Sequence, residues 1–152
     1  MIEGELLHRD SLGNEQRIRA GQVNLMTAGC GIVHSEDQVQ DGGALHAAQM
    51  WIALPDAERQ RAPAFQHYPD LPRVERDGIA ITVLVGEALG VRSPVQVYTP
   101  LIGLDLVAHG NARTTLPLTP GFEHAILVLR GAAEVAGDIL LPGTLLVFAR
   151  GR

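Results

Sequence analysis

The chain has 152 residues, 46% of them hydrophobic, which is enough to bury a core and excludes a disordered composition. Its formal net charge is −5, and all 12 basic residues are Arg, scattered without a run or stripe, which argues against a nucleic-acid surface. A single cysteine, Cys30, rules out an intrachain disulfide and fits a reducing compartment, and no apolar run reaches the ~20 residues that a membrane helix needs.

The 17 Gly and 9 Pro suit many short strands joined by tight turns. The start, Met1-Ile-Glu-Gly-Glu, has no positive segment followed by an apolar stretch, so a cytoplasmic protein without a secretory signal is expected. His8-Arg9-Asp10 precedes a turn at Ser11-Leu-Gly-Asn14 and reads as a polar hairpin end. Gly21 to Met26 is a short alternating run after a glycine turn. Leu45 to Leu54 contains Trp51 and Ile52 and stops at Pro55, which favours a strand over a helix. Pro55 to Arg61 suits one helical turn, and Pro63 to Pro72 reads as a Pro-rich loop. Gly78 to Val85 is a β-branched run after an Asp-Gly turn and is a strand. Val95–Tyr98, Ile102–Ala108 and His124–Leu129 are expected to be further strands. The whole reads as all-β.

The glycines suggest an internal repeat. Gly21 and Gly29 bracket one apolar strand, and Gly143 and Gly151 bracket another at the same step. Gly4 stands before the first unit as Gly131 stands before the second. Two such units imply two similar β-barrels, since closure protects sheet edges. A strand leads into Gly131, whereas only three residues precede Gly4, so the first barrel is expected to lack its leading strand.

The chemically suggestive stretch is Gly31-Ile-Val-His34-Ser-Glu36-Asp37. Alternate residues of a strand share a face, so His34 and Glu36 can point into one barrel. An imidazole and a carboxylate, joined by one or two more histidines, make an Fe, Mn, Ni or Cu site with open positions. Spacing alone leaves a solvent-exposed pair as the alternative. His46 reads as a strand-face or core histidine, His67 as a loop residue and His109 as part of a turn. His124 and Glu123 are adjacent and would face opposite ways. Cys30 lies between two glycines and reads as a small turn residue. Neither a Gly-x-Ser-x-Gly elbow nor a phosphate-binding glycine loop is present.

Val23-Asn-Leu-Met-Thr-Ala-Gly-Cys-Gly-Ile-Val-His-Ser-Glu36 resembles the signature stretch of the pirin family. Leu45-His-Ala-Ala-Gln-Met-Trp-Ile-Ala-Leu-Pro55, Val85-Gly-Glu-Ala-Leu-Gly90 and Glu5-Leu-Leu-His-Arg-Asp-Ser-Leu-Gly-Asn14 resemble its neighbouring segments in the same order. The resemblance implies a bicupin fold of two cupin (jelly-roll) β-barrels, both incomplete here. Residues 1–75 would be the rest of an N-terminal metal-binding barrel, and 76–152 the start of a C-terminal one. It implies one divalent transition metal, usually iron with Ni, Cu, Mn and Zn as alternatives, bound by three His and one Glu. His34 and Glu36 match two of these ligands. The other two belong to a His-x-His strand that nothing in this chain matches, so metal affinity is expected to fall steeply or be lost. Some pirins resemble quercetin 2,3-dioxygenases, in which case Glu36 takes the hydroxyl proton of a flavonol substrate. Others act as regulatory binders of protein partners, and a truncated, inactive remnant is the third reading. The fold does not choose among these.

Overall fold

The computed structural model describes residues 1–39 and 43–149, which contain fourteen strands and no helix. The chain divides into two compact units, residues 1–113 and 114–152. The first holds β1 (Glu5–Asp10), β2 (Glu15–Arg19), β3 (Val23–Thr27), β4 (His34–Gln38), β5 (Ala64–Tyr68), β6 (Arg73–Arg76), β7 (Ile79–Val85), β8 (Glu87–Ala88), β9 (Val91–Arg92) and β10 (Gly103–Ala108). The second holds β11 (His124–Leu127), β12 (Ala133–Val135), β13 (Asp138–Leu140) and β14 (Leu145–Phe148). All pairings are antiparallel: sheets β2-β1-β4 and β10-β7-β6, and the pairs β3–β5, β8–β9, β11–β14 and β12–β13.

The core of the first unit is built on β7. Its Ile-Ala-Ile-Thr-Val-Leu-Val run is apolar on both faces, so it takes the central position in its sheet, where Ile81 and Val83 are fully buried. Three hairpins close through two-residue turns, Asp77-Gly78, Leu89-Gly90 and Ala136-Gly137, with positive φ at both positions. That is the type I′ geometry, whose twist matches that of the flanking strands.

The internal repeat is present in the hydrogen bonding. The hairpins β1–β2 and β12–β13 are each followed by a glycine of the same conformation, Gly21 (φ 82) and Gly143 (φ 83), and then by a strand, β3 or β14. Gly21 N–H donates to Met1 O (3.0 Å) as Gly143 N–H donates to Val128 O (2.8 Å). The amine of Met1 donates to Gln22 O (3.1 Å), as Val128 N–H donates to Thr144 O (3.2 Å). Gln22 N–H to Arg19 O likewise matches Thr144 N–H to Leu141 O. Met1 therefore occupies the place of Val128, and β3 that of β14. In the second unit β14 is paired by β11, whereas among the described residues β3 is paired on one side only, by β5.

Three expected elements differ. Leu45–Leu54 is not a strand: His46 makes an isolated bridge with Glu3, and the rest is irregular, with Trp51 fully out in solvent. A strand exists through its ladder, and beyond His46 no described residue supplies one. Val95–Tyr98 is not a strand either, because side chains serve its backbone: Ser93 Oγ accepts Val95 N–H and the Tyr68 hydroxyl accepts Gln96 N–H. The Pro63–Pro72 segment contains β5, since its prolines flank Ala64–Tyr68 without entering it. Pro55–Arg61 does make a single turn, with Glu58 and Arg59 N–H both donating to Pro55 O.

Candidate functional site

The site lies on the sheet β2-β1-β4. Its two faces differ by the period-2 rule. One carries charges: Glu5, Arg9, Glu15, Arg17, Arg19 and Asp37 form exposed ion pairs. The other carries Leu6, His8 and Asp10 of β1 beside Glu36 and His34 of β4. In the register, His8 is opposite Glu36 and Asp10 opposite His34. Four polar groups thus share one face, of which the sequence reading had joined only His34 and Glu36.

His8 is the buried member, 2% exposed. Its ring lies 4.2 Å from that of Phe65 on β5, with 9° between the planes, and 5.5 Å from that of His34. Nε2 lies 3.2 Å from Asp10 Oδ2, and Nδ1 lies 3.7 Å from Glu36 Oε1. Asp10 can only accept, so Nε2 carries the hydrogen when the ring is neutral. Nδ1 is then buried without a hydrogen-bond partner. Burial acts to raise the pKa of Asp10, but bonds from the side chain and backbone of Asn14, from His8 and from Leu12 N–H hold it down at about 2. The same bonds build the β1–β2 turn, so the residue that orients His8 also closes the hairpin. Reading His8-Arg9-Asp10 as a polar hairpin end was correct for the turn and missed the burial. The signal was there in Leu6-x-His8-x-Asp10, an alternation continuous with an apolar residue.

β4 is introduced by the turn at Gly29. Its φ is +54, and a β-carbon there would run into the Arg61 carbonyl, which accepts Cys30 N–H at 2.9 Å. Only glycine meets both demands. β4 itself is exposed throughout, including His34 and Glu36, and it is an edge strand. Cys30 is free and exposed.

His34 and Glu36 have the donor chemistry of a transition-metal site. Among the described residues, however, no three His, Cys, Asp or Glu side chains come together so as to hold an ion. The rings of His8 and His34 stack, 23° from parallel. The donors fit a metal in kind and not in number.

The remaining histidines lie on other elements. His46 bridges to Glu3 through its backbone. His67 lies on β5 with Nδ1 2.7 Å from Asn24 Oδ1. His109 is exposed after β10, and His124 lies on β11 in the second unit.

A chain of antiparallel strands, built twice from a hairpin, a glycine turn and a strand, with a His-x-Glu pair on one sheet face, defines a cupin-type β-barrel protein. Residues 1–52 match the pirin family. A Pseudomonas aeruginosa protein provisionally assigned as a quercetin 2,3-dioxygenase is 50% identical over all of this chain and 48% of its own length. A pirin-like protein of Caulobacter vibrioides is 36% identical, over 99% of this chain and 54% of its own. The crystal structure of quercetin 2,3-dioxygenase from Acinetobacter baumannii matches with a TM-score of 0.96 and 52% identity, over 100% of this chain and 51% of that one. The chain is similar to the pirin family and spans about half the length of the curated relatives it matches. No helix among the described residues is long and apolar enough to cross a membrane.

Proposed function

We propose that this chain forms part of a metal-dependent, quercetin 2,3-dioxygenase-type oxidoreductase acting on flavonols. The carrying observation is the placement of His34 and Glu36 at alternate positions on one face of β4 in a chain that superposes on a quercetin 2,3-dioxygenase. His34 and Glu36 would hold one side of a divalent transition metal, iron by family resemblance. That ion would supply Lewis acidity toward the substrate oxygens. Glu36, itself exposed on the face it shares with His8, is the group proposed to take the proton of the substrate's hydroxyl. His8, fixed by Asp10 and Phe65, backs that carboxylate.

The remaining donors would come from outside the described residues. The repeat supports a route for them: the edge of β3 that no described residue pairs corresponds to the edge of β14 that β11 occupies. By the same reading residues 1–75 and 76–152 belong to successive barrels of a bicupin, and a cytoplasmic location is proposed with them.

Calorimetric titration of Fe(II), or of Ni(II) as an air-stable substitute, tests the site. The expected result is weak binding by the chain that H34A and E36Q each abolish, with flavonol turnover only where binding is restored by the rest of the site. Equal metal binding by the wild type and both variants would overturn the assignment. A second reading, a metal-binding regulatory protein that captures a partner without turnover, draws on the match to the pirin family itself. Retention of a protein partner by a metal-loaded protein that leaves quercetin intact would establish it.

A further inference from the structure

The face of β5 that meets His8 carries a second polar pair. Asn24 of β3 stands directly opposite His67 of β5, and Met26 opposite Phe65. Residues two apart on a strand share a face, so His67 projects to the same side as Phe65, about 7 Å further along. That side looks toward β1, because Phe65 stacks on His8. The other side of β5 is engaged elsewhere: the Tyr68 hydroxyl donates to Gln66 and accepts Gln96 N–H.

Asn24 Oδ1 can only accept, so His67 carries its hydrogen on Nδ1 and its neutral ring presents Nε2 as an acceptor. Burial lowers the pKa of this ring and so favours its neutral form. No described residue bonds Nε2. Two nitrogens, Asn24 Nδ2 of β3 and His8 Nδ1 of β1, are buried without a hydrogen bond. Buried polar atoms are nearly always satisfied, and two orphans on facing elements point to a polar group arriving from outside the protein.

We propose that Asn24 and His67 form a ligand-orienting pair, in which His67 Nε2 accepts a hydrogen bond from a phenolic hydroxyl of the aromatic ligand bound at His34 and Glu36. Asn24 is the positioning residue, since it sets which nitrogen of His67 is the acceptor. The inference rests on the flavonol reading and deepens it, by assigning a contact to a hydroxyl remote from the reacting oxygens.

The test uses the full chain labelled with 15N-histidine, with quercetin and catechol as separate probes. Long-range 1H–15N spectra are expected to show the Nδ1–H tautomer at His67, lost in N24L. Either probe should then move the Nε2 resonance. H67F should weaken quercetin binding about tenfold, the effect of losing one hydrogen bond, and H67Q, which retains an acceptor, should weaken it less. Spectral dispersion equal to wild type verifies that each variant is folded. A shift with catechol but no binding of quercetin upholds the pair and sinks the flavonol reading. Quercetin binding that leaves Nε2 unmoved, or that H67F leaves intact, overturns the pair and spares the flavonol reading. Silence of Nε2 toward both probes also overturns it.

Discussion

Replacing His8 with alanine removes a ring that is 2% exposed and lies parallel to Phe65 at 4.2 Å. Truncating a buried ring forfeits its transfer free energy and leaves a cavity. For an imidazole, smaller than a phenyl ring, the loss is about 3 kcal/mol. Stacking accounts for about 1 kcal/mol of that. In a domain of roughly this size the loss lowers Tm by about 10 °C. Phenylalanine at the same position keeps the stack and removes the orphaned Nδ1, while Asp10 loses one of its several donors, so H8F should be clearly milder than H8A. Thermal and urea denaturation followed by far-ultraviolet circular dichroism measures both. A Tm for H8A within about 2 °C of wild type, or an H8F as damaged as H8A, would refute the claim that ring packing ties β1 to β5.

Alanine at Gly29 meets both a positive φ and the Arg61 carbonyl, so G29A should lose about 1–3 kcal/mol in urea denaturation and perturb the His34 resonances next along the chain. Unchanged stability would show that the turn yields easily. Asp10 has a folded pKa of about 2 against an ordinary 3.8. A depressed carboxylate contributes stability that is present above the unfolded value and is lost as pH falls from about 3.8 through about 2. The difference in urea midpoint between wild type and D10N should therefore shrink across that window, and a constant difference from pH 5 to pH 2 would contradict the assignment.

Much of the first unit was legible in the sequence for local reasons. An Asp-Gly turn before a β-branched run specifies β7 and its hairpin, because only certain residues adopt two consecutive positive φ angles. The alternation of His34 and Glu36 specifies that they share a face, because a strand has period 2. Glycine spacing announced the repeat, and matched backbone hydrogen bonds around Gly21 and Gly143 gave it physical content.

What only the tertiary structure decided was which strands meet. Leu45–Leu54 had strand-like residues and found no ladder, whereas Ala64–Tyr68 lay hidden between prolines and found one on β3. Strand propensity fits a residue for a pleated surface and does not supply the neighbour. His8 looked like the polar end of a hairpin, and the register opposite Glu36 with Phe65 stacked on its ring made it the buried centre of the site. The pairing of His67 with Asn24, 43 residues away, was invisible for the same reason. Sequence alone determined which side chains could share a face, because that is a property of one strand. The fold determined which faces look at each other, because that depends on contacts between residues far apart along the chain.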